Sequence, residues 1–214
     1  MADIPPLVIS ENKNSPHQHI NSVGNYWKMP QWQISRRCIR RRRRTPGMKD
    51  SLITYRPIGI IHSEHTIAEK TPIQPVYAKG CKGQALVFPE FASGLQDLEG
   101  FSHIYLIYHF HQSTQVKLIV KPFLQDIERG VFATRQPYRP NAIGLSIVEV
   151  IGREGNILHL AGVDILNATP LLDIKPYTAK FDLHNVIKSG WQDEVDEPTA
   201  QKRGKRGYKE GDIP

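Results

Sequence analysis

LSIVEVIGREGNILHLAG, residues 145–162, holds two apolar runs rich in branched side chains, separated by Gly152-Arg153-Glu154-Gly155-Asn156. Residues that tolerate positive φ between two such runs predict a β-hairpin. The segments around it read the same way. TYRPIGIIHS (Thr54 to Ser63) turns at Arg56-Pro57 and continues into Ile58, Ile60 and Ile61. GQALVF (Gly83 to Phe88), HIYLIYHFH (His103 to His111), VFAT (Val131 to Thr134) and VDIL (Val163 to Leu166) are further strand candidates, rich in branched and aromatic residues. A helix is expected between Phe91 and Leu98, ahead of Glu99-Gly100. Many short strands joined by Gly/Pro turns predict a mainly β fold, an antiparallel barrel or sandwich.

Composition sets outer limits. The 214 residues are 39% apolar and 23% charged, enough to bury a core and incompatible with a wholly disordered chain. No apolar run approaches the roughly 20 residues that span a bilayer, and the N-terminus lacks a secretory pattern. Two cysteines, Cys38 and Cys81, make no disulfide framework and no CxxC, which fits a reducing cytoplasmic setting. GxGxxG and GxxxxGK[ST] are absent, so the usual routes to dinucleotides and nucleoside triphosphates are not available. GxSxG is absent too, which argues against nucleophilic hydrolysis.

The net charge of +7 is local. Residues 1–48 carry nine Lys/Arg and two acids, whereas residues 49–214 carry 19 of each, so the body is neutral. The tract Arg36 to Arg44 reads as a phosphate-binding arm, as a solvated disordered arm, or as an upstream over-extension of a frame starting at Met48. Beyond Gln192 apolar residues nearly vanish. The expected organisation is a disordered basic extension (1–48), a β domain (49–191) and a charged tail (192–214).

Three constellations carry candidate chemistry. In VFATRQPYRPNAIGLS (Val131 to Ser146), Pro137 and Pro140 stiffen a loop that presents Arg135, Tyr138, Arg139 and Asn141. Either arginine can fork onto a carboxylate or phosphate, and a stiff loop loses little entropy on binding. A rigid strand connection with surface arginines is the plain alternative. In VDILNATPLLDIKPY (Val163 to Tyr177), Asp164, Asp173 and Lys175 stand among apolar residues, as turn formers or as binding groups. In His103–His111, period two puts His103, Tyr105, Ile107, His109 and His111 on one face and Ile104, Leu106, Tyr108 and Phe110 on the other. His109 and His111 alone fall short of a zinc ligand set, and no metal is expected there.

YRPIGIIHS, GFSHIYLIYHFH, GVFATRQPYRPNAIGLS and LNATPLLDIKPY occur in that order. Together they resemble the TsaA-like (TrmO) family of S-adenosylmethionine-dependent tRNA methyltransferases, over about residues 54–182. The resemblance implies a small antiparallel β-barrel with one or two short helices, a homodimer with S-adenosyl-L-methionine near the interface, and N6-methylation of threonylcarbamoyladenosine beside the tRNA anticodon. By position it implies cofactor contacts at Gln74, Pro75, Phe110, His111, Arg135, Leu145, Asp164, Ile165 and Leu166. Substrate contacts fall at Tyr138, Arg139, Asn141, Lys175 and Tyr177, and Asp173 or His111 is the expected proton acceptor. Lys79, Lys82, Lys117, Lys121, Arg129 and Arg139 are candidates for an RNA patch. The chain has Arg139-Pro140-Asn141-Ala142 where the family has Arg-Pro-Asn-Pro, and Asn167-Ala168-Thr169-Pro170 where it has Asp-Gly-Thr-Pro. The rival readings are a non-catalytic cofactor- or RNA-binding barrel and a histidine-based metal hydrolase.

Overall fold

The computed structural model describes residues 53–208, and the expected basic extension (1–48) lies outside the described residues. Eight strands follow in chain order: β1 (Gly59–Ser63), β2 (Lys82–Val87), β3 (His103–His109), β4 (Ile119–Val120), β5 (Arg129–Gly130), β6 (Ile143–Glu154), β7 (Ile157–Ala161) and β8 (Thr169–Pro176). Six of them close an antiparallel barrel in the order β1-β2-β7-β6-β3-β8. The short β4 and β5 form a separate two-stranded ribbon within the long β3–β6 connection. Among the described residues no helix is long and apolar enough to cross a membrane.

The barrel closes because each strand alternates. Ile104, Leu106 and Tyr108 of β3 face inward with Ile61, Ala85, Val87, Val148, Leu158, Leu160 and Leu171. Burying each Ile, Leu or Val contributes about 1.5–3 kcal/mol. The expected hairpin forms, but its turn is only Gly155-Asn156, with Gly155 at φ 58, because Gly152, Arg153 and Glu154 pair with β7 inside β6.

Proline misleads at β8. Pro170 and Pro176 look like strand breakers, yet both sit inside the strand. Pro170 pairs only with β1 and Pro176 only with β3, so each lies where one side of the strand carries no neighbour. A missing N–H is tolerated there.

Three other local expectations change. Val131–Ala133 is a 3-10 turn rather than a strand, because the Thr134 N–H (3.1 Å) and hydroxyl (2.9 Å) both donate to the Val131 carbonyl. Residues 163–166 are not a strand, since Gly162 at φ 70 ends the β7 run, but Val163 and Ile165 still fill the core. The helix expected at Phe91–Leu98 is a 3-10 segment, Pro89–Leu95, with Asp97 at φ 65 breaking it from the next turn.

Part of the segment expected as a charged tail is folded. After α1 (Ala179–Asp182), residues Gly190–Glu194 form a 3-10 turn and Glu197–Gly204 form α2. Asp196 caps α2 by accepting from the Thr199 N–H at 2.9 Å, and Pro198 sits in the first turn. The buried Ala200 and Gly204, one turn apart, make its contact face. A Cβ at Gly204 would fall 2.6 Å from the Tyr77 ring, so only glycine allows this approach. Two small residues leave no apolar periodicity for a sequence reading to detect.

Candidate functional site

The pairings Ser63↔Gly83, Lys82↔Ala161, Ile61↔Thr169 and His109↔Ile143 put six strand termini at one end of the barrel. That end, the mouth, receives the loops bearing Gln74, Phe110, His111, Arg135 and Asp164. At the other end Asn156 Nδ2 donates to the Val87 carbonyl (2.6 Å), and Arg153 reaches the Leu95 carbonyl (3.0 Å) and Glu99 (3.5 Å). Phe91, Leu95, Leu98 and Phe101 pack against the core there.

A polar chain runs into the mouth. Ser146 Oγ donates to Asp164 Oδ1 at 2.7 Å, and the Tyr108 hydroxyl stands 3.1 Å from Ser146 Oγ. Because the single Ser146 proton goes to Asp164, Tyr108 donates to Ser146. Burial pushes the Asp164 carboxyl up to about 7, against the opposing pull of the Ser146 hydrogen bond, its own backbone N–H and Arg135. Burial likewise raises Tyr108, with the Asp164 charge adding to it. Gly144 is required beside this chain, since a Cβ there would enter the Tyr108 ring. The Phe110 ring meets Tyr108 edge to face, centroids 5.4 Å apart.

Arg135 stands exposed over this chain, and its Nη1 donates to Gln74 Oε1. The Gln74 loop is braced from behind: Ile73 N–H donates to the Gly204 carbonyl at 3.0 Å, and Tyr77 packs on Gly204. Thus α2 supports the loop that carries Gln74 and Pro75.

His111 is fixed by tautomer. Thr169 Oγ1 donates its proton to the Leu166 carbonyl (2.6 Å), so toward His111 Nδ1, 3.3 Å away, it accepts. The neutral ring then carries its lone pair on Nε2. Burial, and secondarily the neighbouring His109, hold the His111 pKa below its ordinary value.

Other predicted residues stand apart. Asp173 lies on the outer side of β8, where its carboxylate meets Lys175 Nζ at 2.8 Å and accepts from the Ile174 N–H at 2.9 Å. Tyr177 packs on Tyr105 (5.6 Å) and His103 (6.4 Å). Arg139 is spent inside its own loop, donating to the Val131 (3.1 Å) and Thr134 (2.8 Å) carbonyls. Tyr138 carries the Lys117 ammonium 4.8 Å above its ring. Asn141 lines an open cleft of ≈ 360 Å³ with Phe132, Arg139, Pro140 and Ile143. Ile165 is a core residue and Leu166 supplies the carbonyl that Thr169 bonds. Leu145 points outward from β6, 51% exposed, beside Ile143, Ile147 and Ile151.

Of the basic patch, Lys79, Lys82, Lys117 and Lys121 are exposed, while Arg129 pairs with Glu194 at 3.3 Å. Sequence reasoning missed Tyr108 and Ser146 as site residues. A serine at an inward position between Gly144 and Val148 was the available signal.

A small closed barrel with one apolar end and one end gathering a buried carboxylate, an arginine and an imidazole defines a compact β-barrel class with a single polar mouth. Residues 60–183 match the model of the tRNA-methyltransferase O N-terminal domain, and the chain belongs to that family. It is 53% identical over 140 residues to a probable S-adenosyl-L-methionine-binding protein of Pyrococcus abyssi, covering 65% of this chain and 76% of that one. It is 35% identical over 144 residues to the tRNA (adenine(37)-N6)-methyltransferase of Homo sapiens, covering 64% of this chain and 33% of that one. The crystal structure of TrmO from Pseudomonas aeruginosa superposes with a TM-score of 0.55 at 36% identity, over 65% of this chain and 62% of that one. The chain thus spans about a third of the human relative and under two thirds of the Pseudomonas structure.

Proposed function

We propose that this chain is an S-adenosylmethionine-dependent methyltransferase that N6-methylates threonylcarbamoyladenosine next to the anticodon of tRNA, working in the cytoplasm. The observation that carries the reading is the Arg135–Gln74 pair standing over the buried Tyr108–Ser146–Asp164 chain at one barrel mouth.

The donor set suits the cofactor. A guanidinium complements the carboxylate of its methionine part. The Phe110 ring and the Asp164 carboxylate complement a ring system and a cation. When bound, S-adenosylmethionine supplies a methyl carbon already activated on a sulfonium, so the protein mainly aligns and desolvates. Arg135 and Gln74 orient the carboxylate end, while Phe110 excludes water from the mouth. As the N–C bond forms and the S–C bond breaks, the amine nitrogen releases one proton. His111 Nε2 is better suited to take it than Asp173, which is held by Lys175 on the outer surface.

Two finer features belong to this reading. The outward face of β6 presents Ile143, Leu145, Ile147 and Ile151, an apolar strip that a second copy would cover in a homodimer, bringing Leu145 to the interface. The exposed Lys79, Lys82, Lys117 and Lys121 attract the tRNA backbone, and Tyr138 offers a ring to an unstacked base of the anticodon loop.

The test is methyl transfer from labelled donor to tRNA with and without threonylcarbamoyladenosine, followed by nucleoside mass spectrometry. Label is expected on N6 of the modified adenosine alone, and His111→Gln is expected to lower turnover while keeping cofactor affinity. Cofactor binding without transfer would support the non-catalytic barrel instead.

A further inference from the structure

A second side-chain cluster sits at the mouth, apart from the Arg135 constellation. Glu64, His65 and Cys81 bring one ligating atom each to within 4.8 Å of one another. Cys81 is fully buried and His65 is 4% exposed. The chemistry is mixed and soft: a thiol, an imidazole and a carboxylate. In a tetrahedral zinc site, ligand atoms at about 2.0–2.3 Å from the metal stand roughly 3.3–3.8 Å apart. The observed spacing needs a shift of about 1 Å to reach that geometry.

The supporting shell is in place. His65 Nε2 lies 2.8 Å from the Val163 carbonyl, which only accepts, so Nε2 bears the proton and Nδ1 the lone pair. An outer nitrogen donating to a backbone carbonyl is the usual way a ligating imidazole is oriented. Cys81 is anchored through its backbone, with its N–H on the Ala78 carbonyl (3.0 Å) and its carbonyl accepting from Gly162 N–H (2.9 Å). The Tyr208 hydroxyl donates to the Glu64 carboxylate, and the Tyr208 ring meets His65 edge to face at 5.2 Å. Tyr208 therefore closes the cluster from the C-terminal side.

We propose that Cys81, His65 and Glu64 bind one thiophilic divalent cation, zinc by preference, as a structural site that ties together the two ends of the connection between β1 and β2. The fourth position falls to solvent or to the Tyr208 oxygen. The site is independent of the methyl-transfer reading, because none of its ligands belongs to that machinery.

The test is titration of the metal-stripped full chain with cobalt(II), with zinc as competitor, and metal analysis of protein purified without chelator. One equivalent is expected to bind with the near-ultraviolet absorption of a thiolate–cobalt bond, and excess zinc is expected to abolish that band. Cys81→Ser removes the band. Glu64→Gln, at a partly exposed position that does not threaten folding, weakens cobalt binding tenfold or more. Tyr208→Phe keeps the thiolate band. Absence of a thiolate–cobalt band in the folded wild-type chain, or a Glu64→Gln protein that binds cobalt as tightly as wild type, overturns the proposal.

Discussion

The two ends of the barrel are built by opposite means. At the closed end, Phe91, Leu95, Leu98 and Phe101 bury apolar surface, and the side chains of Asn156 and Arg153 satisfy backbone carbonyls. At the mouth, Asp164, Ser146, Tyr108 and His65 are buried polar groups held by a few specific bonds. Burying a carboxylate is costly unless it is hydrogen-bonded, paired or protonated, and groups that carry such a cost cluster at functional sites. The contrast teaches that the closed end is held by apolar burial and the mouth by a few specific polar bonds, so a core mutation at the closed end should cost stability without touching cofactor affinity.

The largest effect is expected in the core beyond the mouth. Leu158 on β7 is fully buried, and Leu158→Ala should cost about 2–5 kcal/mol by chemical denaturation. Its cofactor affinity per folded molecule should be unchanged. Equal loss of affinity and stability would break the separation.

Next comes pH. The folded-state pKa of Asp164 lies above its unfolded value, so the protonated form favours folding. Stability should fall as pH rises from about 4 to about 7 and then level off, by at most about 4 kcal/mol. Asp164→Asn keeps an acceptor for Ser146 and should flatten that decline. Denaturation curves at pH 5 and pH 8 for the two proteins check it.

A smaller effect, about 1–3 kcal/mol, is expected from Gly204→Ala, which drives a Cβ into the Tyr77 ring. Because α2 braces the Gln74 loop, cofactor affinity should fall as well, read by equilibrium dialysis. The smallest concerns Ala168, held at φ 61 where the resembled family carries glycine. Ala168→Gly should stabilise by up to about 1 kcal/mol, a modest rise in Tm.

The sequence made much of the closed end and the barrel wall legible. The inward–outward alternation of His103–His109 and the 145–162 hairpin came from period-two patterning, although the strand stops before Phe110 and His111. Strand β8 did not, because Pro170 and Pro176 read as punctuation and only the pairing partners reveal why each is tolerated. The mouth was legible in part. Arg135 and Phe110 stand in motifs, whereas Gln74 followed only by position from the resemblance. Strand register brings Tyr108 to Ser146, 38 positions away, and the loop after β7 brings Asp164 to Ser146, 18 positions away; no local pattern encodes either. Asp173 looked equivalent to Asp164 by its apolar neighbours. A bulge between Ile107 and Tyr108 and a lysine two residues on decide that it faces outward and is paired.

The most direct measurement is equilibrium binding of radiolabelled S-adenosylmethionine to the full chain and to Arg135→Ala. Arg135 is exposed and its removal leaves the core intact, so melting should not change. One cofactor per chain, bound at least tenfold more weakly by the variant at equal Tm, is the predicted result. Identical affinity in the two proteins, or no binding by either, would contradict the account.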